Sequence, residues 1–270
     1  MPEIPEMEIY KQQLTESIIH KKITDITINR ERSINVEPEV FKDLAGDQLI
    51  IYVSRRAKQL IFTLGNGYYL VAHLMLGGRL YLAERDEKVT TRGSIIFHFI
   101  DGTRLYFINF RLGRLHVLTE EEMDSKFAEL GPEPLSKYFT IEWLSDVLFH
   151  KKGSIKPLLT KQEFIAGIGN CYADEILFAA GIRPERKAND LSFPEVTQLH
   201  KAVPAVLHEA INRGGYMDKP FRKGDSLTGG FNDLLKVYDR EGQPCLKCRD
   251  TVQRISLAGK KSFFCPTCQK

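Results

Sequence analysis

Four cysteines near one end constrain this chain more than any other feature. Cys245 and Cys248 have two residues between them; sixteen residues later come Cys265 and Cys268, again two apart. Two thiolate pairs at that separation read as one tetrahedral structural zinc site. A redox pair or four unrelated cysteines is the competing reading, and the paired spacing weighs against it. With thiolate in all four positions no place is left for water, so the single Zn2+ is expected to hold the fold and not to catalyse. Between the pairs, "VQRISLAGKKSFF" alternates as a hairpin does, with Ala258-Gly259-Lys260 near its tip. Such a hairpin would present Lys260 and Lys261 rigidly, which suits phosphate contacts. Zinc ribbons also mediate protein contacts, so the site alone does not name a partner. The fifth cysteine, Cys171, stands apart and reads as a small buried residue. An odd count without a secretory leader argues against a disulfide framework.

Charge sharpens the picture locally. The net charge is only +3, but from Arg240 onward seven basic residues (Arg240, Lys247, Arg249, Arg254, Lys260, Lys261, Lys270) face two acids, Glu241 and Asp250. A basic segment beside a nearly neutral remainder points to a polyanion; a solvated tail is the plainer alternative. No run of 18 or more apolar residues occurs, so no membrane helix is expected. The N-terminus lacks a secretory pattern, and a cytoplasmic location is the expectation.

The first part of the chain reads as strands behind one helix. "KITDITIN" (22–29), the stretch 49–76 broken by Gly65-Asn66-Gly67, and the stretch 93–118 with Asp101-Gly102 at a turn all carry strand and hairpin signals. The acidic, proline-bearing "EEEMDSKFAELGPEPL" reads as a linker. Residues 140–215 carry helical patterns, with Pro204 inside the last and Gly214-Gly215 closing it. "YMDKPFRKGDSLTGG" (216–230) is polar and glycine-rich, a candidate mobile loop. The expected class is α+β and multidomain: a β-sandwich or barrel with a leading helix over 1–130, a helical domain over 131–240 and a zinc hairpin over 241–270.

Three stretches remain. The chain opens "MPEIPEME". Pro5 suits the first turn of a helix, Glu6 and Glu8 suit its dipole, and Met7, Tyr10, Leu14 and Ile18 form its buried stripe. Helix chemistry leaves Pro2-Glu3 unexplained. "AGIGNCYADE" places Gly167 and Gly169 before Asn170 at a helix start, either a phosphate cradle or an ordinary glycine-rich corner. "SRRAKQLIF" sets Arg55, Arg56 and Lys58 beside an apolar strand, by default a solvated face.

Taken in order, Pro2-Glu3, "RRAK", "HLMLGGRL", "LGPEPL", "IKPLL", "AGIGNCYADE", "LFAAGI", "VYDREGQPC" and "FFCPTCQK" resemble the formamidopyrimidine-DNA glycosylase and endonuclease VIII family along the whole chain. The resemblance implies an N-terminal β-sandwich, a helix–two-turns–helix domain and a zinc-finger hairpin, with double-stranded DNA bearing a damaged base or abasic site as partner and a monomer as the working form. It implies a bifunctional glycosylase/lyase of base excision repair. Met1 is removed and the secondary amine of Pro2 attacks sugar C1′. Glu3 is the general acid/base and Lys58 holds the flanking phosphates. His73, Asn170 and Lys260 are further DNA contacts, and Leu76, Arg111 and Leu112 fill the gap left by a flipped nucleotide. A bacterial, nucleoid-associated protein is implied with them.

The sequence departs from the family pattern in the reading apparatus and spares the nucleophile. Lys260 replaces the usual arginine, exchanging a planar fork for a point charge. Leu76 stands for the common Met and Leu112 for Phe. Around Arg111 the usual Asp-Pro-Arg-Arg-Phe-Gly reads Ile-Asn-Phe-Arg-Leu-Gly (108–113), and Thr160-Lys161 replaces Leu-Asp. Two outcomes follow: an enzyme with shifted lesion preference, or a DNA-binding relative drawn to abasic, branched or distorted DNA with little base excision. Retention of Pro2, Glu3 and Lys58 favours the enzyme.

Overall fold

The computed structural model describes residues 1–270, and the chain divides into two compact units, Met1–Glu129 with Arg213–Gly230, and Leu130–Asn212 with Phe231–Lys270. In the first unit, helix α1 (Ile4–Ile18) is followed by strand β1 (Ile23–Ile28), helix α2 (Pro38–Ala45) and strands β2 (Ile50–Arg56), β3 (Gln59–Leu64), β4 (Tyr69–His73), β5 (Arg79–Ala83), β6 (Gly93–Phe99), β7 (Arg104–Ile108) and β8 (Arg114–Leu118). All strand pairs are antiparallel, in two four-stranded sheets ordered β1-β6-β7-β5 and β2-β3-β4-β8. The expected turns stand where their residues place them: Gly65–Gly67 joins β3 to β4, and Asp101-Gly102 joins β6 to β7. The stripe Met7, Tyr10, Leu14 and Ile18 is fully buried, in one core with Phe62, Leu70, Phe97, Phe107 and Leu115. Leucine, isoleucine and phenylalanine at alternate strand positions thus meet across the two inner sheet faces, and α1 adds its apolar stripe to them.

The acidic "linker" is in part a helix. Strand β8 leads straight into α3 (Glu120–Phe127), capped by Thr119, whose Oγ1 accepts the Glu122 N–H while Glu122 Oε2 accepts the Thr119 N–H at 2.9 Å. Thr-x-x-Glu is a capping box; the density of acids masked it. Met123 and Phe127 pack on Ile61, Val71 and Leu118, the outer face of the second sheet.

Residues 213–230, placed by sequence inside the helical domain, fold with the first unit. Gly214 and Gly215 both adopt left-handed backbone, with φ of +81° and +68°. A Cβ on Gly214 would lie 1.7 Å from the Leu227 carbonyl oxygen and one on Gly215 2.7 Å from Glu6 Oε1, so glycine is required at both for conformation and for space. Further along, Asp225 is a hub. Its carboxylate accepts the Gln13 amide at 3.0 Å, the Phe221 N–H at 2.9 Å and the Leu227 N–H at 3.0 Å, as well as the Thr228 hydroxyl. Phe221 is thereby seated in the core, edge-on to Tyr10 at 5.9 Å.

Burial alone would raise the Asp225 pKa, but the donors from Thr228, Phe221 and Gln13 outweigh it and bring it down to about 2. A depressed carboxyl stabilises fully above its unfolded value and loses that contribution as pH falls through the folded one. Protection of the 213–230 amides, relative to their intrinsic exchange rates, is therefore expected to fall between roughly pH 4 and pH 2, and Asp225→Asn is expected to show the reduced protection already at pH 7. Equal protection in the variant at neutral pH would contradict the hub.

The second unit is helical, with α4 (Ile141–Phe149), α5 (Ile155–Leu159), α6 (Asn170–Ala180) and the 20-residue α7 (Phe193–Asn212), which carries Pro204 internally. A hairpin of β9 (Gln253–Leu257) and β10 (Lys260–Phe264) ends it. Buried Glu175 on α6 accepts the backbone N–H groups of Lys236, Val237 and Tyr238 at 2.8–2.9 Å and so fixes the chain entering the cysteine hairpin. No helix is long and apolar enough to cross a membrane.

Candidate active site and nucleic-acid contacts

Glu3 is the N-cap of α1, its N–H donating to Glu6 Oε2 at 2.7 Å in a capping box. Pro5 stands within the first two helical positions, one residue later than a helix starting at Pro5 would put it. The second oxygen of Glu6 accepts the Tyr216 N–H at 2.8 Å. One buried carboxylate therefore joins the start of α1 to the 213–230 segment. Met1 and Pro2 line a cavity of about 510 Å³ together with Gly77, Arg79, Asn109 and Tyr216–Lys219. Glu3 is 4 % exposed and directly follows Pro2.

Lys58 lies in the two-residue turn between β2 and β3, where Arg56 pairs with Gln59. Ala57 in that turn has φ +51°, a backbone cost held by surrounding contacts. Arg55 supplies them: its Nη1 donates to the Ala57 carbonyl at 2.8 Å and its Nε to Glu8 on α1 at 2.7 Å. Lys58 is 6 % exposed. His73 ends β4, paired with Gln59 on one side and Arg114 on the other. Burial, then the charges of Lys58, Lys126 and Arg114, push its pKa down to about 4. It is neutral at pH 7, and its buried Nε2 has no hydrogen-bond partner.

Leu76 and Leu112 are apolar tips, 67 % and 59 % exposed. Leu76 sits between Met75 and Gly77, both with positive φ. Arg111 and Leu112 are presented by a braced loop: Arg30 donates to the Arg111 carbonyl at 2.8 Å, and Ser33 to that of Phe110 at 3.1 Å. An exposed leucine on a fixed loop is the shape of a wedge between bases. Phe110, which interrupts the usual Arg-rich motif, is fully buried against Phe107.

In the second unit Asn170 opens α6, and its buried Oδ1 has no partner. Gln162 shapes the turn ahead of it, accepting the Gly167 N–H at 2.8 Å and donating to the Ile168 and Thr160 carbonyls at 3.0 Å. Lys260, first residue of β10, donates to Thr160 Oγ1 at 3.2 Å. Two of the departures from the family pattern are therefore in contact with each other. Sequence reading missed this pairing, as it missed the Glu8–Arg55 brace, because both join residues far apart in the chain.

The four cysteine sulfurs lie within 4.8 Å of one another, with Cys245–Cys268 at 3.9 Å and Cys248–Cys265 at 3.4 Å. Zinc–sulfur bonds of about 2.3 Å in a tetrahedron give edges of about 3.8 Å, so the donor set fits one structural zinc. Cys265 is further fixed by Gln269, which accepts its N–H at 2.8 Å and donates to the Ile182 carbonyl. One zinc per chain is expected by elemental analysis. Chelation is expected to abolish hydrogen-exchange protection over Gln253–Phe264; retained protection without metal would show that the hairpin stands on its own packing.

Three family profiles match: the formamidopyrimidine-DNA glycosylase N-terminal domain over residues 1–115, the formamidopyrimidine-DNA glycosylase H2TH domain over 130–220, and a zinc finger found in FPG and IleRS over 242–270. The formamidopyrimidine-DNA glycosylase of Pelotomaculum thermopropionicum is 38 % identical over 275 residues, covering 100 % of this chain and 99 % of the relative. That of Cytobacillus firmus is 38 % identical over 274 residues, covering 100 % of both. Among solved structures, a mutant of Lactococcus lactis FPG in complex with Fapy-dG-containing DNA superposes with a TM-score of 0.92 at 31 % identity, covering 100 % of each chain. A complex of Lactococcus lactis Fpg with abasic-site DNA gives the same score and identity over 99 % of each chain. Whole-chain identity at this level, together with the sandwich, the helical unit and the thiolate hairpin, establishes that this chain belongs to the formamidopyrimidine-DNA glycosylase family.

Proposed function

We propose that this chain is a bifunctional DNA glycosylase and abasic-site lyase of base excision repair, acting in the cytoplasm on duplex DNA with oxidised bases or abasic sites. The observation that carries the reading is Pro2 lining the 510 Å³ cavity with the buried carboxyl of Glu3 beside it. Whole-chain relatives named formamidopyrimidine-DNA glycosylase support base excision over the binding-only alternative.

Removal of Met1 frees the Pro2 nitrogen. A terminal amine has a pKa of roughly 7.7–8.0, so a useful fraction is neutral at working pH, whereas a lysine near about 10.4 needs far more tuning. The flipped nucleotide brings sugar C1′ to that nitrogen. The nitrogen lone pair forms the C–N bond, and the C1′–base bond breaks with its electrons leaving on the base. The added amine loses its N–H proton, Glu3 protonates O4′, and the C1′–O4′ bond breaks as the nitrogen lone pair closes the C1′=N double bond. A secondary amine gives an iminium that has no N–H proton to lose, so it stays an electron sink. Abstraction of a C2′ proton expels the 3′ phosphate, and a second elimination expels the 5′ phosphate.

Lys58 and His73 bind backbone phosphates beside the lesion; Asn170 and Lys260 are phosphate contacts of the other unit. Leu76, Arg111 and Leu112 enter the vacated stack. Cys245, Cys248, Cys265 and Cys268 would hold one zinc, which would crosslink the hairpin that carries Lys260 and leave no open position for bond making. The functional division is a catalytic sandwich, a helical DNA-binding part and a zinc hairpin.

Borohydride trapping tests the reading. Adducts are expected on an abasic duplex and on duplexes carrying oxidised bases. Trapping on the abasic duplex alone would leave a lyase without base excision; tight binding with no trapping by the Pro2-terminated chain would leave a binder.

A further inference from the structure

The outer face of the β2-β3-β4-β8 sheet carries a second cavity, of about 290 Å³, lined by Gln59, Val71, His73, Met75, Arg114, His116 and Lys126. Register explains the grouping. Gln59, His73 and Arg114 are directly paired across three strands, and Val71 pairs with His116 one step along. Directly paired positions share a face, so Gln59, His73 and Arg114 form one row and Val71 and His116 the next. Helix α3 closes the side with Lys126.

This lining has an unusual balance. It holds two fixed cations and two imidazoles and no carboxylate. Arg114 on β8 and Lys126 on α3 bring two like charges to one hollow, and no acid in the lining offsets them. The titrating groups register that field. After burial, the charges acting on His73 and His116 are cations only, and Lys126 is itself lowered by burial and then by Arg114. His73 Nε2 is buried with no partner. A fold that keeps two cations and two imidazoles around a hollow without a carboxylate is short of an oxyanion.

We propose that Arg114, His116 and Lys126 extend the phosphate contact given above to His73 into a phosphate-binding subsite in this hollow, separate from the Pro2 cavity. Its ligand is a phosphate group, from a DNA strand or free in solution. Arg114 and Lys126 supply the fixed charge, and the two imidazoles donate once the anion raises their basicity. Only the DNA source rests on the function proposed above; the site itself does not.

Two measurements test it. Imidazole resonances of His73 and His116 are followed while inorganic phosphate is added at constant ionic strength against chloride. Saturable shifts, lost in Lys126→Gln and in Arg114→Gln, are expected. Their absence in the folded parent chain overturns the proposal. The second measurement is the salt dependence of binding to an abasic duplex. Lys126→Gln is expected to reduce the slope of log K against log salt by about 1, the signature of one lost phosphate contact. An unchanged slope with phosphate shifts intact assigns the site to free phosphate. Phosphate shifts in a chain that neither binds nor cuts DNA would sink the repair function and leave the subsite standing.

Discussion

A chain that keeps Met1 will form no borohydride-trapped adduct with abasic DNA, whereas the same chain beginning at Pro2 will. The reason is electronic. An amide nitrogen shares its lone pair with the carbonyl and cannot add to C1′, while the free pyrrolidine nitrogen can. Intact-mass measurement separates the two forms before the assay, so the comparison does not depend on how far processing has gone. Glu3→Gln in the Pro2-terminated chain is expected to slow scission by about 10²–10⁴-fold, the usual range for losing one general acid/base. Glutamine keeps an acceptor at the start of α1, so the thermal midpoint should move little. Full scission by a Met1-retaining chain would remove the amine mechanism altogether.

The second large effect concerns stability. Lys156 on α5 and Asp174 on α6 are 2 % and 0 % exposed, with Nζ 2.8 and 2.9 Å from the two carboxylate oxygens. Lys156 also donates to the Lys261 carbonyl at 2.7 Å, and Asp174 accepts the Phe263 N–H at 3.1 Å. Both thus reach from the helices to β10. Burial raises the Asp174 carboxyl to about 7 even against the pull of the Lys156 ammonium and the Phe263 amide. Removing one partner strands the other in a dry interior, which costs about 3–5 kcal/mol. Asp174→Asn should therefore lower the unfolding free energy of the second unit by that amount. Lys156→Met combined with Asp174→Leu should recover part of it: the unpaired charge is gone, but the Lys261 carbonyl and the Phe263 N–H lose their side-chain partners. Trp143, the single tryptophan, lies on α4 and reports unfolding of this unit by fluorescence. A double variant no better than Asp174→Asn would assign the pair a role beyond mutual neutralisation.

Local chemistry was legible in the sequence, and long-range pairing was not. The thiolate spacing and the Gly65–Gly67 and Asp101-Gly102 turns depend on residues within a few positions of each other, and each stands as read. Helix α3 was legible through Thr119 and Glu122 but hidden by an acid-rich composition that resembles a linker. The Asp225 hub joins Gln13 to a partner 212 residues away, and Glu6 reaches Tyr216 across 210. No pattern of propensity announces such contacts. The same holds for Lys260 and Thr160, each noticed singly as a departure and found together only in three dimensions.

Segment 213–230 has a consequence for how this molecule can be divided. The sandwich is completed by a strip of chain synthesised after most of the helical unit, and Phe221 from that strip is part of its core. A fragment stopping near residue 130 would leave Tyr10 facing a hole and Glu6 and Gln13 without their distant partners. On the ribosome, the sandwich that begins at the N-terminus cannot finish folding before residues 130–230 have emerged. Swapping the N-terminal 130 residues between relatives would fail unless residues 213–230 travelled with them.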